Sequence, residues 1–185
     1  MIIANVLQLS KLRFVFFFFF KEIFFYQSSP SARLPHTYWI CYTLYNLLAQ
    51  CIFCKIIKNE SPSEKIYEDE HVTCIKDINP ASDHHYLILP NKHINTAKDL
   101  QPADIKLYDK IIACVQLVMQ KQGFDINSTR TGFHWPPFNT VNHLHLHLIS
   151  PVENMSIVKR MVFKLDTPWF VSTDYVRSRL QKKDT

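Results

Sequence analysis

The sequence predicts a domain of the α+β class, built from a five-stranded, mostly antiparallel sheet with one long and one short helix. Short apolar stretches bounded by turn residues predict the strands. One longer stretch repeats apolar residues with the period of a helix. The predicted strands are grouped together rather than alternating one by one with helices, which favours α+β over α/β.

The predicted elements follow in chain order. A short helix covers Ile52–Lys58, and a long helix covers Pro102–Gln122, because Pro102 suits the first helical turn and Gly123 ends the helix. The five strands are predicted at Lys65–Glu68, His71–Lys76, His85–Leu89, Asn127–Phe133 and Val141–Ile149. The C-terminal tail then offers a strand at Ile157–Leu165 and a helix opened by Thr173.

Three segments are predicted. Residues 1–50 form a phenylalanine-rich extension, residues 51–152 the main domain, and residues 153–185 a tail that packs on it. Eight of the fourteen phenylalanines lie between residues 14 and 25. The apolar stretch there is too short for a secretory signal, because Lys21 and Glu22 interrupt it after seven residues. The extension is expected to be poorly ordered or helical, with a membrane-associating segment and a true anchor as alternatives.

Composition excludes some classes of function. The formal net charge is +5, but the extension holds four basic residues against one glutamate, so residues 51–185 carry only +2. This balance gives little support to nucleic-acid binding. The chain has two glycines, Gly123 and Gly132, which excludes a glycine-rich phosphate loop.

The five cysteines are an odd number without the spacing of a disulfide framework. They predict a reducing compartment, and hence the cytoplasm, with the nucleus also open to a domain of this size.

The most informative motif is His143-Leu144-His145-Leu146-His147. Side chains alternate across a strand, so the three imidazoles are expected on one face and the leucines on the other. Crowding disfavours full protonation, so at least one imidazole should be neutral near pH 7. A neutral imidazole serves as a nucleophile or as a metal ligand. The alternative is a solvated strand that is merely rich in histidine.

Other motifs accompany these histidines. Cys51-Ile52-Phe53-Cys54 opens the first helix, and Asp77-Ile78-Asn79-Pro80 precedes the strand that begins with His85. Together they resemble the histidine triad (HIT) superfamily, in its branch of histidine triad nucleotide-binding proteins, which are nucleoside phosphoramidases. Gly132–Phe138 and Pro168-Trp169-Phe170 are similar to the third subgroup of that branch, the adenosine 5'-monophosphoramidase type.

The resemblance covers about Cys51 to Leu180 and implies a HIT-like fold and a catalytic domain at residues 51–152. It implies that His145 is the nucleophile that becomes transiently linked to AMP. His147 matches the family position near the leaving group, and Thr140 matches a serine that contacts the bridging atom. His85 matches a fourth histidine facing the triad, and His143 is expected to orient and polarise with it.

Nucleotide-binding residues are also implied. Asp77 matches the ribose-binding aspartate, and Ile78 an adjacent aliphatic residue of the adenosine pocket. Apolar positions that match the lining of the base are Ile52, Phe53, Ile56 and Ile75. Plain core packing explains these apolar residues equally well, and a turn-forming role is the alternative for Asp77.

One position departs from the family. Eleven residues before the first triad histidine, the phosphoramidases have a phosphate-binding asparagine, whereas this chain has Gly132. A rigid segment with two prolines replaces a glycine-rich loop there, and His134 within it offers an additional hydrogen-bond donor.

A zinc site is one interpretation of the two cysteines. Two thiolates and two imidazoles suit Zn²⁺, and some family members bind zinc at this cysteine pair. The predicted ligands are Cys51, Cys54, His85 and His143. Small buried cysteines are the alternative, and the remaining histidines, including His93, are expected to be surface or structural residues. The resemblance implies no cofactor for catalysis itself.

The predicted function is hydrolysis of adenosine 5'-phosphoramidates and acyl-adenylates, with an AMP-containing small molecule as partner. Two alternatives remain: a weakly active zinc-stabilised nucleotide sensor or adaptor, and a dinucleoside polyphosphate hydrolase. A homodimer through the long helix is also expected, because apolar residues spread over a broad arc of that helix.

Overall fold

The computed structural model describes residues 51–182, in which six strands form one sheet. The strands are β1 Lys65–Glu68, β2 Val72–Lys76, β3 His84–Pro90, β4 Arg130–His134, β5 Leu146–Ser150 and β6 Phe170–Ser172. Their order is β1-β2-β3-β5-β4-β6, and each neighbouring pair is antiparallel. The α+β class is confirmed, but the predicted number of five strands is wrong.

Four α-helices accompany the sheet in this part of the chain: α1 Ile52–Ile57, α2 Ile105–Gln122, α3 Ile157–Val162 and α4 Thr173–Lys182. The predicted short and long helices are α1 and α2, and the predicted helix opened by Thr173 is α4. A 3-10 turn at Pro102–Asp104 leads into α2, and Gly123 ends it in the left-handed region at φ 68°. Glycine suits that position because it has no Cβ to clash.

The tail departs most from the prediction. The expected strand at Ile157–Leu165 is instead α3, because the Ser156 hydroxyl accepts a hydrogen bond from the Lys159 backbone N–H and caps a helix. The added strand, β6, has three residues, which is too short to show an alternating pattern. It pairs with β4 and so extends the sheet at its edge.

Alternation along the strands separates two faces. Leu144, Leu146 and Leu148 pack in one apolar core with residues of α2, including Tyr108 and Ile111. The opposite face carries two smaller clusters. The residues of the first are Phe53, Ile56, Ile75, Leu87 and Leu89, and those of the second are Ala81, Ile149, Met155, Phe163 and Phe170. The functional histidines lie on this second face.

The C-terminal helix packs against the long one. The Tyr108 hydroxyl donates to the Thr173 carbonyl at 2.6 Å, and Arg177 pairs with Asp109 at 2.6 Å. Val176 and Leu180 of α4 are buried. Part of the apolar arc of α2 is therefore covered within the same chain.

The predictions for the extension at residues 1–50 lie outside the described residues. Among residues 51–182, no helix combines the length and the hydrophobicity that crossing a membrane requires.

Candidate functional site

Three histidines form a row on the second face of the sheet. His143, His145 and His147 are 0%, 7% and 5% exposed. β5 begins only at Leu146, later than the predicted Val141, yet the side chains still alternate. The rings of His145 and His147 lie 5.0 Å apart between centroids, and Phe53 makes edge contacts with His143 and His145.

Burial keeps these rings neutral. It lowers the pKa of His145 to about 4, lowers that of His147 well below its usual value, and lowers that of His143 as well. Desolvation is the main cause in each case, because a charged imidazole loses its hydration in the interior. The sequence-based expectation of a neutral imidazole near pH 7 agrees with this arrangement.

The tautomer of His145 follows from its backbone contact. Its Nδ1 lies 2.6 Å from the carbonyl oxygen of His143, and a carbonyl can only accept, so Nδ1 carries the proton. In the neutral ring, Nε2 then has the lone pair. His145 Nε2 is therefore a nucleophile that needs no deprotonation first.

His147 is the last residue of a chain of hydrogen bonds that runs from the Ala81 backbone through His85 to His147, which we call the relay. The backbone N–H of Ala81 donates to His85 Nδ1 at 3.1 Å, so neutral His85 carries its proton on Nε2 and donates it to His147 Nδ1 at 2.9 Å. His147 must then carry its own proton on Nε2. That atom is buried and has no hydrogen-bond partner within residues 51–182. The relay thus presents one unpaired N–H donor beside the lone pair of His145.

Asp77 lies at the far end of the relay. Its Oδ2 is 3.5 Å from His85 Nδ1, but burial outweighs this carboxylate and lowers the pKa of His85 to about 4. The pair is therefore not an ion pair near neutral pH. Asp77, His85 and His147 are also close enough to share a cation. The facing nitrogens of the two histidines are already bonded to each other, which argues for a relay instead.

A second cluster gathers around the first triad histidine. Metal-ligand atoms of Cys51, Cys54, His93 and His143 all lie within 4.8 Å of one another. Of the predicted zinc ligands, the structure brings Cys51, Cys54 and His143 together. His85 is instead bonded to His147, and His93 lies in the cluster. His93 was expected to be a surface or structural histidine, and its distance of 39 residues from Cys54 gives no local pattern by which to find it.

The geometry of this cluster fits a cation. His143 Nε2 donates to the Pro90 carbonyl at 2.9 Å, and His93 Nε2 donates to Asn95 Oδ1 at 3.1 Å. Both Nδ1 atoms then have lone pairs, yet they face each other at 3.2 Å and face the sulfurs at 3.2 to 3.4 Å. Burial and Cys51 raise the pKa of Cys54 to about 11. A metal ion would stabilise the two imidazole lone pairs that face each other without a proton between them, and it would also displace the thiol protons. Oxygen acceptors on the outer nitrogens are typical of ligating histidines.

The expected nucleotide-binding residues fall into two groups. Phe53, Ile56 and Ile75 are packed into the apolar cluster beside the triad, and Phe53 also contacts His143 and His145. Ile52 and Ile78 are 43% and 101% exposed. They remain open to a ligand.

Of the two polar residues expected at the site, Asp77 lies beside the relay and Thr140 does not. Asp77 accepts the backbone N–H of Asn79 at 2.7 Å, as in the expected turn, while staying next to His85. Thr140 is exposed, and the geometry does not bring it into the relay.

Comparison with known proteins agrees with this site. The family model described as "Scavenger mRNA decapping enzyme C-term binding" matches residues 50–162. The chain is 36% identical over 141 residues to adenosine 5'-monophosphoramidase HINT3 of Mus musculus, covering 75% of this chain and 86% of the relative. It is 42% identical over 99 residues to the bifunctional adenosine 5'-phosphosulfate phosphorylase/adenylylsulfatase HINT4 of Arabidopsis thaliana, covering 52% and 67%.

A solved structure of a HIT family hydrolase from Clostridium thermocellum superposes with a TM-score of 0.52 at 39% identity, covering 55% of this chain and 90% of that one. The chain belongs to the histidine triad family. The predicted place in the third subgroup of its nucleotide-binding branch is also confirmed, as is the HIT-like fold.

The structure explains why this histidine triad protein has Gly132 in place of the family's asparagine. A Cβ at Gly132 would lie 2.6 Å from the Phe170 ring and 2.7 Å from the Val171 carbonyl oxygen. The unpredicted strand β6 therefore occupies the space that a side chain at this position needs.

Proposed function

We propose that this chain hydrolyses the P–N bond of adenosine 5'-phosphoramidates, and also cleaves acyl-adenylates, releasing AMP. Membership of the third subgroup supports the reaction class. The observation that carries the proposal is the pair of opposite functions on neighbouring histidines: a lone pair on His145 Nε2 and an unpaired N–H on His147 Nε2. A displacement at phosphorus needs one nucleophile and one proton donor for the leaving group.

The proposed reaction has two steps. In the first, His145 Nε2 forms a bond to the α-phosphorus, the P–N bond breaks, and the departing amine takes the proton from His147 Nε2. In the second, water attacks the phosphorus, its proton returns to His147 Nε2, and the bond from phosphorus to His145 breaks to release AMP. Before the first step, the His85 Nε2–H bonded to His147 Nδ1 keeps the only proton of His147 on Nε2. The negative charge that His147 acquires when it gives up this proton is balanced by the positive charge that His145 acquires when its Nε2 bonds to phosphorus, and both charges are lost in the second step.

Asp77 and the exposed aliphatic residues are proposed to bind the nucleoside. A carboxylate that accepts both ribose hydroxyls would lie next to the relay, and Ile52 and Ile78 would contact the base. Asp77→Ala is then expected to raise KM for the adenosine substrate more than it lowers kcat. An unchanged KM would remove Asp77 from the binding site.

The test of the function is turnover of an AMP–amine conjugate by the wild-type protein and by His145→Ala. Loss of the nucleophile should lower kcat by about a thousandfold or more. Equal rates for the two proteins would overturn the proposal. Thr140→Ala tests the role expected for Thr140 at the leaving group. A lower kcat would support that role, and an unchanged kcat would exclude it.

A second candidate is a nucleotide sensor or adaptor with negligible turnover. The observation that favours it is Gly132, which stands in place of the family's phosphate-binding asparagine and has no room for a side chain. Tight AMP binding with background rates in the wild type would favour this candidate. The remaining alternative is a dinucleoside polyphosphate hydrolase. It is tested by assaying a dinucleoside polyphosphate beside the phosphoramidate, and faster turnover of the polyphosphate would favour it.

We also propose a structural zinc ion held by Cys51, Cys54, His93 and His143. The ion would supply a cross-link between the start of α1 and the segment before β5, and no step of the reaction passes through it. Metal analysis of the purified protein tests this directly. About one zinc per chain is expected, and its absence from undisturbed preparations would count against the site.

Assembly and location are proposals of the same kind. A homodimer through α2 is supported by partly buried apolar residues such as Leu117, although α4 already covers part of the helix. A monomeric mass in light scattering at micromolar concentration would contradict it. The cytoplasm, with access to the nucleus, is supported by the four free cysteines among the described residues.

A further inference from the structure

A fifth imidazole lies beside the catalytic pair and has no part in the two steps above. β4 pairs with β5 so that Gly132 stands opposite His147, and His134 follows two residues later on the same face. The rings of His134 and His147 lie 4.9 Å apart in an edge contact. Phe163 and Phe170 hold the other sides of the His134 ring at 5.2 and 5.0 Å. Two elements of the tail therefore fix this ring next to the proton donor.

The backbone sets the tautomer of His134. Its Nδ1 lies 3.3 Å from the Trp169 carbonyl oxygen, which can only accept, so Nδ1 carries the proton. Burial lowers the pKa of His134, and the ring is neutral near pH 7. The free nitrogen is then Nε2, with a lone pair. His134 also lines the same narrow cavity as His145.

The two free nitrogens are complementary. His147 Nε2 offers a proton, whereas His134 Nε2 offers a lone pair, on a ring whose centroid lies 4.9 Å from that of His147. An amine nitrogen bound to phosphorus needs both, because it must receive one proton to depart and still bears an N–H that can donate. An anionic leaving group such as sulfate or phosphate has only acceptor oxygens. Such a group gains nothing from a second acceptor and is repelled by it.

We propose that His134 binds the N–H of the departing amine and thereby selects amine leaving groups over anionic ones. This inference rests on the proposed phosphoramidase function. In this proposal a polar contact to the substrate comes from His134, two positions along β4 from Gly132, where the family has its asparagine. The residue touches the reacting nitrogen and forms no covalent bond to it.

The experiment compares two AMP substrates that differ in whether the departing nitrogen bears a hydrogen. They are the 5'-phosphoramidate of a primary amine, whose nitrogen has one N–H, and the 5'-phosphomorpholidate, whose nitrogen has none. We measure kcat/KM for both with the wild type and with His134→Ala. The preference for the primary amidate should fall about tenfold or more in the variant, the size of one hydrogen bond to a reacting group. His134→Gln, whose side-chain oxygen also accepts, should restore part of the preference.

The ratio of two substrates on one enzyme does not depend on how much of the variant is folded, so a loss of stability cannot imitate the result. His84→Ala, which removes a histidine that packs on Phe124 away from the site, is the control and should leave the ratio unchanged. With adenylyl sulfate as substrate, His134→Ala should keep or raise kcat/KM.

Equal losses on all substrates would show that His134 only positions the tail, and would overturn this inference while leaving the phosphoramidase function intact. Absence of wild-type turnover on the primary amidate would overturn both.

Discussion

The two ends of the histidine row use the same side chain in opposite ways. At His143, the outer nitrogen Nε2 donates to a carbonyl, and the lone pair of Nδ1 points at two cysteines and a second histidine. At His147, Nδ1 accepts from His85, and Nε2 is left with an unpaired proton. The first end is suited to hold a cation and the second to give a proton away. The partner of the other ring nitrogen, and not the residue type, decides which.

The largest effect is expected at the metal end. Cys54→Ser should remove the zinc and lower the free energy of unfolding by on the order of 5 kcal/mol, because a structural metal contributes its binding energy to folding. The folded fraction should keep its kcat within about threefold, since the relay does not touch Cys54. Metal analysis and denaturant unfolding measure both. Cys114→Ala, a buried cysteine of α2 outside the cluster, is the matched control and should retain the metal.

Lowering the pH should lower the free energy of unfolding through His85, at the relay end of the histidine row. The unfolded-state pKa of a histidine is about 6.5, whereas burial, opposed by Asp77 and assisted by Lys159, His134 and His145, lowers the pKa of His85 to about 4. Between these values the unfolded chain binds more protons, so stability falls as the pH falls, by about 3 kcal/mol for this residue at pH 4. Denaturant unfolding from pH 7 to pH 4 measures the change. The comparison uses the Cys54→Ser background, which has no metal to lose.

In that background, His85→Gln should flatten the dependence on pH, because glutamine does not titrate. An equally steep dependence in His85→Gln would assign the acid sensitivity to other groups.

Removing the relay itself should affect chemistry more than folding. His85→Ala leaves His147 Nδ1 without its donor, so His147 no longer keeps its proton on Nε2, and kcat should fall by about a hundredfold. His85→Gln still offers an N–H and should retain kcat within about tenfold. Both variants should bind the same amount of zinc as the wild type. Zinc loss in either one would show that the two ends are not separate.

The smallest effects concern the two glycines, which are fixed for different reasons. Gly132→Ala brings a Cβ against the Val171 carbonyl and the Phe170 ring and should lower stability by about 2 kcal/mol. Gly123→Ala meets no atom within 4 Å, but its φ of 68° disfavours a side chain by about 1 kcal/mol. Thermal unfolding of the two variants ranks them. The reverse order would mean that β6 does not press on the wall of the site.

The sequence determined what depends on local periodicity. The alternation of histidine and leucine placed three imidazoles on one face and the leucines in the core, and it predicted that the crowded rings would not all be charged. The cysteine pair indicated a metal site, and the motifs indicated the family. These features are local because the directions of side chains along a strand are set by the backbone itself.

Only the tertiary structure decided the chemistry of each ring. The protons of His143, His145, His85 and His134 are set by oxygen or N–H partners that distant segments or the local backbone supply, and no pattern in the sequence pairs these groups. For the same reason His93, and not His85, lies beside the two cysteines, because local sequence does not determine where loops meet in space. Gly132 is likewise explained only by the tertiary structure, in which the three-residue strand β6 of the tail lies against it. Steric contact depends on distance in space and not along the chain.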